Sequence, residues 1–204
     1  AFPCGVGLAA TWSPELVNDV AEAIAVETLN KGRNVLLGPC VNIHRHPLGG
    51  RNFESYGEDP YLASRMAVAF INGLQEWAVI GSVKHFACNN QELNRMHVDV
   101  KVDERTLREI YLPAFKAAVK EAGVLSVMSA YNKLNGHYCS ENQMLVDRIL
   151  KKEWGFKGFV VSDWNGTHST VSAALAGLDL EMPTGKFFGD KLLEAVKKGE
   201  VKEE

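Results

Sequence analysis

No hydrophobic stretch of this sequence approaches the ~20 residues that a bilayer-spanning helix needs. Its first residues also lack the basic start and apolar core of a secretory signal. Neither a membrane span nor a leader is therefore read. Cysteine is sparse: Cys4, Cys40, Cys88 and Cys139 lie far apart and form no C-x-x-C pair. That spacing excludes a thiolate zinc centre, and the four read as reduced thiols of a cytoplasmic protein. Blocks of Lys or Arg are missing and the net charge is −3, so nucleic acid and membrane surfaces are not expected partners. His44 and His46 stand two apart without a third ligand, so no metal or other cofactor is expected. The one glycosylation sequon, Asn165-Gly166-Thr167, reads as a chance match.

What is present suits a globular domain: 204 residues, 46% hydrophobic and 23% charged, enough for one sizeable core. The opening "AFPCGVGLAATWS" reads like the interior of a domain, which suggests a piece of a larger unit. Ser13-Pro14-Glu15 is a helix start, with a capping serine and proline at the first helical position. That helix is expected to run to Asn30 and Lys31, before Gly32. A strand "NVLLGP" (34–39) follows, then a loop of roughly twenty residues, a length that points to function rather than connection. Further along, the expected elements are a helix 61–77, a strand 80–87, a helix 103–122 bent at Pro113, a strand 124–132, a helix 141–154, the strand "GFVVSD" (158–163), a short helix to Ala176, a strand 178–182 and a helix 190–198. With "GVGL" as a first strand this makes about six β/α units.

Strands separated by helices imply a parallel sheet, either doubly wound or a (β/α)8 barrel. "GVGLAA" is a poor dinucleotide fingerprint. Polar residues follow nearly every strand instead of clustering at one switch point, which favours the barrel. Six units fall short of eight, so the barrel is expected to be incomplete.

In a parallel barrel the carboxyl ends of the strands share one face. Arg51, Lys84, His85, Tyr131, Asp163 and Trp164 should converge there, although they span more than a hundred positions. Cations, a carboxylate and aromatic rings suit a polyhydroxylated ligand. Each also has a plainer reading. Arg51 could pair only with Glu54 or Glu58, Lys84-His85 could be a wet strand end, and Tyr131 and Trp164 could simply pack. Asp163, in "VVSDWNG", could be a cap for the next turn. Joint placement at successive strand ends is what favours a site.

The motifs "GPCVNIHRHPLGGRNFESYGEDPYL", "VKHFACNNQELNRM", "SVMSAYNKLNGHYCSEN" and "GFVVSDWNG", in this order, resemble glycoside hydrolase family 3, and within it the β-glucosidases. The resemblance covers almost the whole chain. It implies that residues 1–204 are part of the family's N-terminal barrel domain, without its second, α/β sandwich domain. It implies retaining hydrolysis of terminal β-D-glucosidic bonds, with Asp163 as nucleophile and a β-glucoside or oligosaccharide as substrate. It assigns Arg51, Lys84, His85, Arg95, Tyr131 and Trp164 to the subsite that holds the glycon. The family's first-strand Asp and its acid/base Glu match no position here, so the rest of the enzyme or another chain is expected to complete the site. Glu181 reads as a structural strand-end residue and Glu92 as a loop hydrogen-bonding group. The alternative is a non-catalytic fragment or homologue that binds sugar or assembles with another chain.

Overall fold

A computed structural model describes residues 1–203. The chain opens with helices α1 (Gly5–Ala9) and α2 (Pro14–Asn30). Ser13 caps α2 by accepting the Leu16 N–H at 3.2 Å, and Pro14 fills the first helical position, where no N–H is needed. Strand β1 (Val35–Leu36) comes next, then an irregular segment holding one turn, Asn52–Glu54, then α3 (Pro60–Glu76). Asp59 caps α3, its Oδ1 accepting from Tyr61 N–H at 2.7 Å and Leu62 N–H at 2.8 Å.

The remaining elements are β2 (Ile80–Phe86), β3 (Asp99–Val100), α4 (Glu104–Thr106), a wide helical turn Leu107–Tyr111, α5 (Pro113–Lys120), β4 (Ser126–Ser129), β5 (Lys133–Leu134), β6 (His137–Tyr138), the wide-turn helix Met144–Glu153, β7 (Phe159–Ser162), α6 (Val171–Ala176) and α7 (Asp190–Lys197). The helix expected over 103–122 is interrupted where Pro113, lacking an N–H, restarts it.

β1, β2, β4 and β7 form one parallel sheet in that order. Val35 lies beside Ile80, Val83 beside Val127, and Met128 beside Val161. Spatial order follows chain order without reversal. A doubly wound sheet would grow outward from its middle, so these strands are consecutive staves of a barrel wall. Leu180 adds a fifth stave as a single bridge to Val161, and Ser162 N–H donates to the Leu180 carbonyl at 2.9 Å.

Two readings need correction. "GVGL" is not a strand but most of α1, which packs against the Asn52–Glu54 turn. Gly5 allows this approach, because a Cβ there would meet the Glu54 carbonyl at 2.5 Å. Segment 124–142 is also more than one strand and a loop. Asn135-Gly136, both at positive φ, turn β5 into β6, and β3 joins them as a separate three-stranded sheet.

The core lies between the barrel wall and its outer helices. Ile71 and Leu74 of α3 come within contact distance of a Cβ built on Gly81, so that face of β2 meets α3. Phe86 packs edge-on against Phe115 with ring centroids 5.0 Å apart, and tilted against Trp154 at 6.1 Å. Ser82 is on the opposite face of β2 from Gly81 by strand alternation. There the Ser126 hydroxyl donates to the Ser82 hydroxyl at 2.8 Å.

Candidate active site

Because the staves run parallel, their carboxyl ends deliver Lys84 and His85 from β2, Tyr131 from just beyond β4, and Asp163 from just beyond β7. The segment after β1 adds Asn42, Arg51 and Glu54, and the segment after β2 adds Glu92 and Arg95. The β1–β2 pairing reaches past β1 through the bridge Cys40↔Lys84, and Val41 N–H donates to the Lys84 carbonyl at 2.8 Å. That extension carries Asn42 alongside His85.

Asp163 is buried at 7% exposure. Its Oδ1 accepts the Trp164 backbone N–H at 2.7 Å. Its Oδ2 makes no hydrogen bond of standard geometry among the described residues, although His85 Nε2 lies 3.5 Å away and the Tyr131 hydroxyl comes near enough to the carboxylate for a long hydrogen bond. No helix begins at Asp163 (the next, α6, starts at Val171), and what Oδ1 caps is the short turn that Gly166 N–H closes on the Asp163 carbonyl at 2.9 Å, a task that leaves Oδ2 uncommitted.

Charged side chains are linked around it. Glu54 pairs with Arg51 at 2.5 Å and with Lys84 at 3.4 Å. Glu92 pairs with Arg95 at 2.6 Å and stands 3.9 Å from Arg51. The Arg95 guanidinium lies over the Tyr131 ring, 4.7 Å from its centroid. Two carboxylates thus hold three cations in one half-buried array. Arg51, Lys84, His85, Arg95, Tyr131 and Asp163 are brought together, as the sequence reading requires. The Trp164 ring is 37% exposed, at the rim.

Burial and neighbouring charges displace the titrations of Tyr131 and His85, among others. Burial first, then the Asp163 carboxylate, pushes the Tyr131 hydroxyl up to about 12, so it is a neutral phenol at ordinary pH. Burial first, then the charges of Lys84, Arg51 and Arg95, holds His85 well below the usual imidazole range. Asp163 at 3.5 Å would favour the imidazolium. At that distance no hydrogen bond forms, and desolvation with three cations wins, so His85 is neutral.

The plainer readings resolve residue by residue. Arg51 does pair with Glu54, but Glu54 also holds Lys84, so the pair belongs to the array. Glu92 is the loop partner of Arg95 and Arg51. Glu181 accepts the Phe187 and Phe188 backbone N–H groups at 2.8 and 2.7 Å, a structural task. His44 Nε2 bonds the Ser55 hydroxyl at 2.9 Å, and His46 Nδ1 accepts the Leu48 N–H at 3.1 Å. Among the described residues no cluster of three or more His, Cys, Asp or Glu is placed to hold a metal. Sequence reasoning missed Asn42 and the double role of Glu54. Both stand inside the quoted "GPCVNIHRHPLGGRNFESYGEDPYL", but nothing local marks them.

Known proteins resemble the chain over its whole length. The family described as "Glycosyl hydrolase family 3 N terminal domain" matches residues 1–204. A beta-glucosidase of Rhizobium radiobacter is 54% identical over 204 residues, 100% of this chain and 25% of the relative. A thermostable beta-glucosidase B of Acetivibrio thermocellus is 54% identical over 99% of this chain and 27% of its own. The structure of beta-glucosidase 3B from Thermotoga neapolitana in complex with alpha-D-glucose superposes with a TM-score of 0.97 at 48% identity, over 100% of this chain and 30% of that one. The chain therefore spans about a quarter of the length of the curated relatives it matches.

Proposed function

The chain belongs to glycoside hydrolase family 3, and from that premise we propose that it supplies the nucleophile and much of the glycon subsite of a retaining β-glucosidase. Asp163 attacks the anomeric carbon, forming a covalent glycosyl-enzyme that water later cleaves with retention. The observation that carries this reading is the asymmetry of its carboxylate. Oδ1 is tethered by the Trp164 N–H at 2.7 Å, while Oδ2 is buried and makes no hydrogen bond of standard geometry among the described residues. An oxygen in that state is costly for folding alone and useful as a nucleophile.

The remaining residues act on the sugar. Arg51, Lys84 and Arg95 donate to its hydroxyls, and the neutral Tyr131 phenol adds one more donor beside Asp163. Trp164 offers a flat apolar face at the rim. Glu54, Glu92 and Glu181 are each committed to cations or backbone N–H groups. The family resemblance implies an acid/base in a second domain, and we accordingly assign the acid that protonates the leaving group to residues outside this chain, in keeping with relatives about four times as long. Leu48 and Leu93, 85% and 82% exposed on the neighbouring loops, are apolar surface suited to being covered by that remainder.

Trapping with a 2-deoxy-2-fluoroglucoside bearing a good leaving group, followed by mass mapping of the labelled peptide, tests the assignment. Label on Asp163 is the expected result. Label on Glu181 or Glu92 overturns it.

A further inference from the structure

Asn42 makes three contacts with His85. Its Oδ1 accepts the His85 backbone N–H at 3.0 Å, and its Nδ2 donates to the His85 carbonyl at 2.8 Å. These two backbone contacts fix which end of the amide is oxygen, independently of the imidazole. The same Oδ1 lies 2.8 Å from His85 Nδ1. An amide oxygen can only accept, so Nδ1 must carry the hydrogen. In the neutral ring Nε2 is then a bare lone pair, and Nε2 is the nitrogen that faces Asp163 Oδ2 at 3.5 Å. Two acceptors face each other there, which accounts for the unpaired buried Oδ2.

We propose that Asn42 is a positioning residue that locks His85 in the Nδ1–H tautomer and so denies Asp163 a proton or hydrogen bond from the imidazole. The inference rests on Asp163 being the nucleophile. With the other tautomer, Nε2–H would donate to Oδ2 and blunt the attacking oxygen. The lock instead keeps Oδ2 free and makes Nε2 an acceptor for a substrate hydroxyl. The groups that bear on His85 agree with a neutral ring. Lys84 on its own strand and Arg51 and Arg95 on the adjoining loops oppose a further positive charge. The buried Cys40 thiol, 3.8 Å from Nδ1, is pushed up to about 12 by burial and stays uncharged. Asp163, from 3.5 Å, favours the imidazolium, as do Glu54 and Glu92, which are however paired with those same cations.

The test has two arms, both on the full-length protein. In histidine-labelled wild-type protein, two-bond ¹H–¹⁵N correlation reads the tautomer directly. His85 should show a protonated Nδ1 and a bare Nε2 from about pH 5.5 to 8, around the ordinary imidazole range. A protonated Nε2 in that range overturns the proposal, whatever the activity. In the kinetic arm, Asn42→Asp places a carboxylate against Nδ1, which favours the imidazolium and puts a proton on Nε2. Its kcat/KM on an aryl β-glucoside should fall about ten- to a hundredfold near pH 6, the usual size of an outer-shell change. Activity should recover at higher pH through an ionisation that wild type lacks. Asn42→Ala, which frees the tautomer, should lower kcat/KM at every pH without that ionisation. A wild-type pH profile in Asn42→Asp sinks the proposal. A correct tautomer in a wild-type protein without glycosidase activity would instead sink the proposed function and leave the lock standing.

Discussion

At the scale of single residues the proposed function divides the site into a reacting oxygen, on Asp163, and charges that would hold a sugar, and each part can be tested. Asp163→Asn should lower turnover by roughly 10⁴-fold or more, the range seen when a covalent nucleophile is removed. Its unfolding midpoint should stay close to wild type, because the tether to the Trp164 N–H survives the exchange. Equal losses of activity and stability would mean that Asp163 is structural. Glu54 behaves differently, since it touches Arg51 and Lys84 rather than the reacting centre. Glu54→Gln should raise KM about tenfold and change kcat less, as hydrogen bonds to charged groups contribute ~1.5–3 kcal/mol and partial exposure discounts that. Steady-state kinetics with an aryl glucoside reads the split. A fall confined to kcat would place Glu54 in the chemical step.

At the scale of elements, the barrel wall is held by close approaches that a side chain would block. Gly73 in α3 sits against α2, where a Cβ would come 2.5 Å from the Asn18 carbonyl oxygen and 2.9 Å from the Ala21 Cβ. Helix propensity alone favours alanine there by about 1 kcal/mol. Overpacking a fixed helix crossing costs about 1–3 kcal/mol, and backbone atoms cannot step aside. The collision wins, so Gly73→Ala should lower the urea midpoint by an amount worth about 1–2 kcal/mol. An increase would show that α2 and α3 can slide apart freely. Gly158 plays the same part between β4 and β7, where an added Cβ would collide with the Leu125 carbonyl.

At the scale of the whole molecule, burial of histidine ties stability to pH. His85 is held below the ordinary 6.5 by burial and by Lys84, Arg51 and Arg95, and His168 is lowered chiefly by burial. Below about pH 6.5 the unfolded chain therefore takes up protons that the folded chain refuses. Their contribution is complete above that pH and is lost on acidification toward the lowered folded values. The melting temperature should fall between pH 7.5 and pH 5, by less in His168→Gln. A flat profile over that window would contradict the buried, neutral assignment. The lowered carboxyls of Glu121 and Glu153, paired with Arg65 and Arg108, act in the same direction only at still lower pH.

Completeness is the other whole-molecule question. The 204 residues by themselves should hydrolyse an alkyl β-glucoside far more slowly than the full-length protein, since general acid help contributes about 10²–10⁴-fold. Dinitrophenyl glucoside, whose leaving group needs little protonation, should suffer less. Rapid cleavage of the alkyl glucoside by these residues alone, abolished in Asp163→Ala, would place the acid within them.

The sequence by itself determined what depends on neighbours along the chain. The cap at Ser13, the interruption at Pro113 and the parallel alternation of strands and helices were all legible, because each follows from local hydrogen bonding or hydrophobic period. So was the polar character of each strand end, and through it the convergence of Arg51, Lys84, His85, Tyr131 and Asp163, with Trp164 at the rim; Arg95 was marked only by the family resemblance. The Asn135-Gly136 turn also carried a local signal, and reading 124–142 as a strand and a loop overlooked it. Tertiary structure alone decided the rest. "GVGL" has the apolar pattern of a strand, yet it is helical where it packs on the Asn52–Glu54 turn. Glu54 against Lys84, and Asn42 against both the backbone and the ring of His85, join positions tens of residues apart. Such pairings are set by the register of β1 on β2, and register is a property of two strands that neither carries alone.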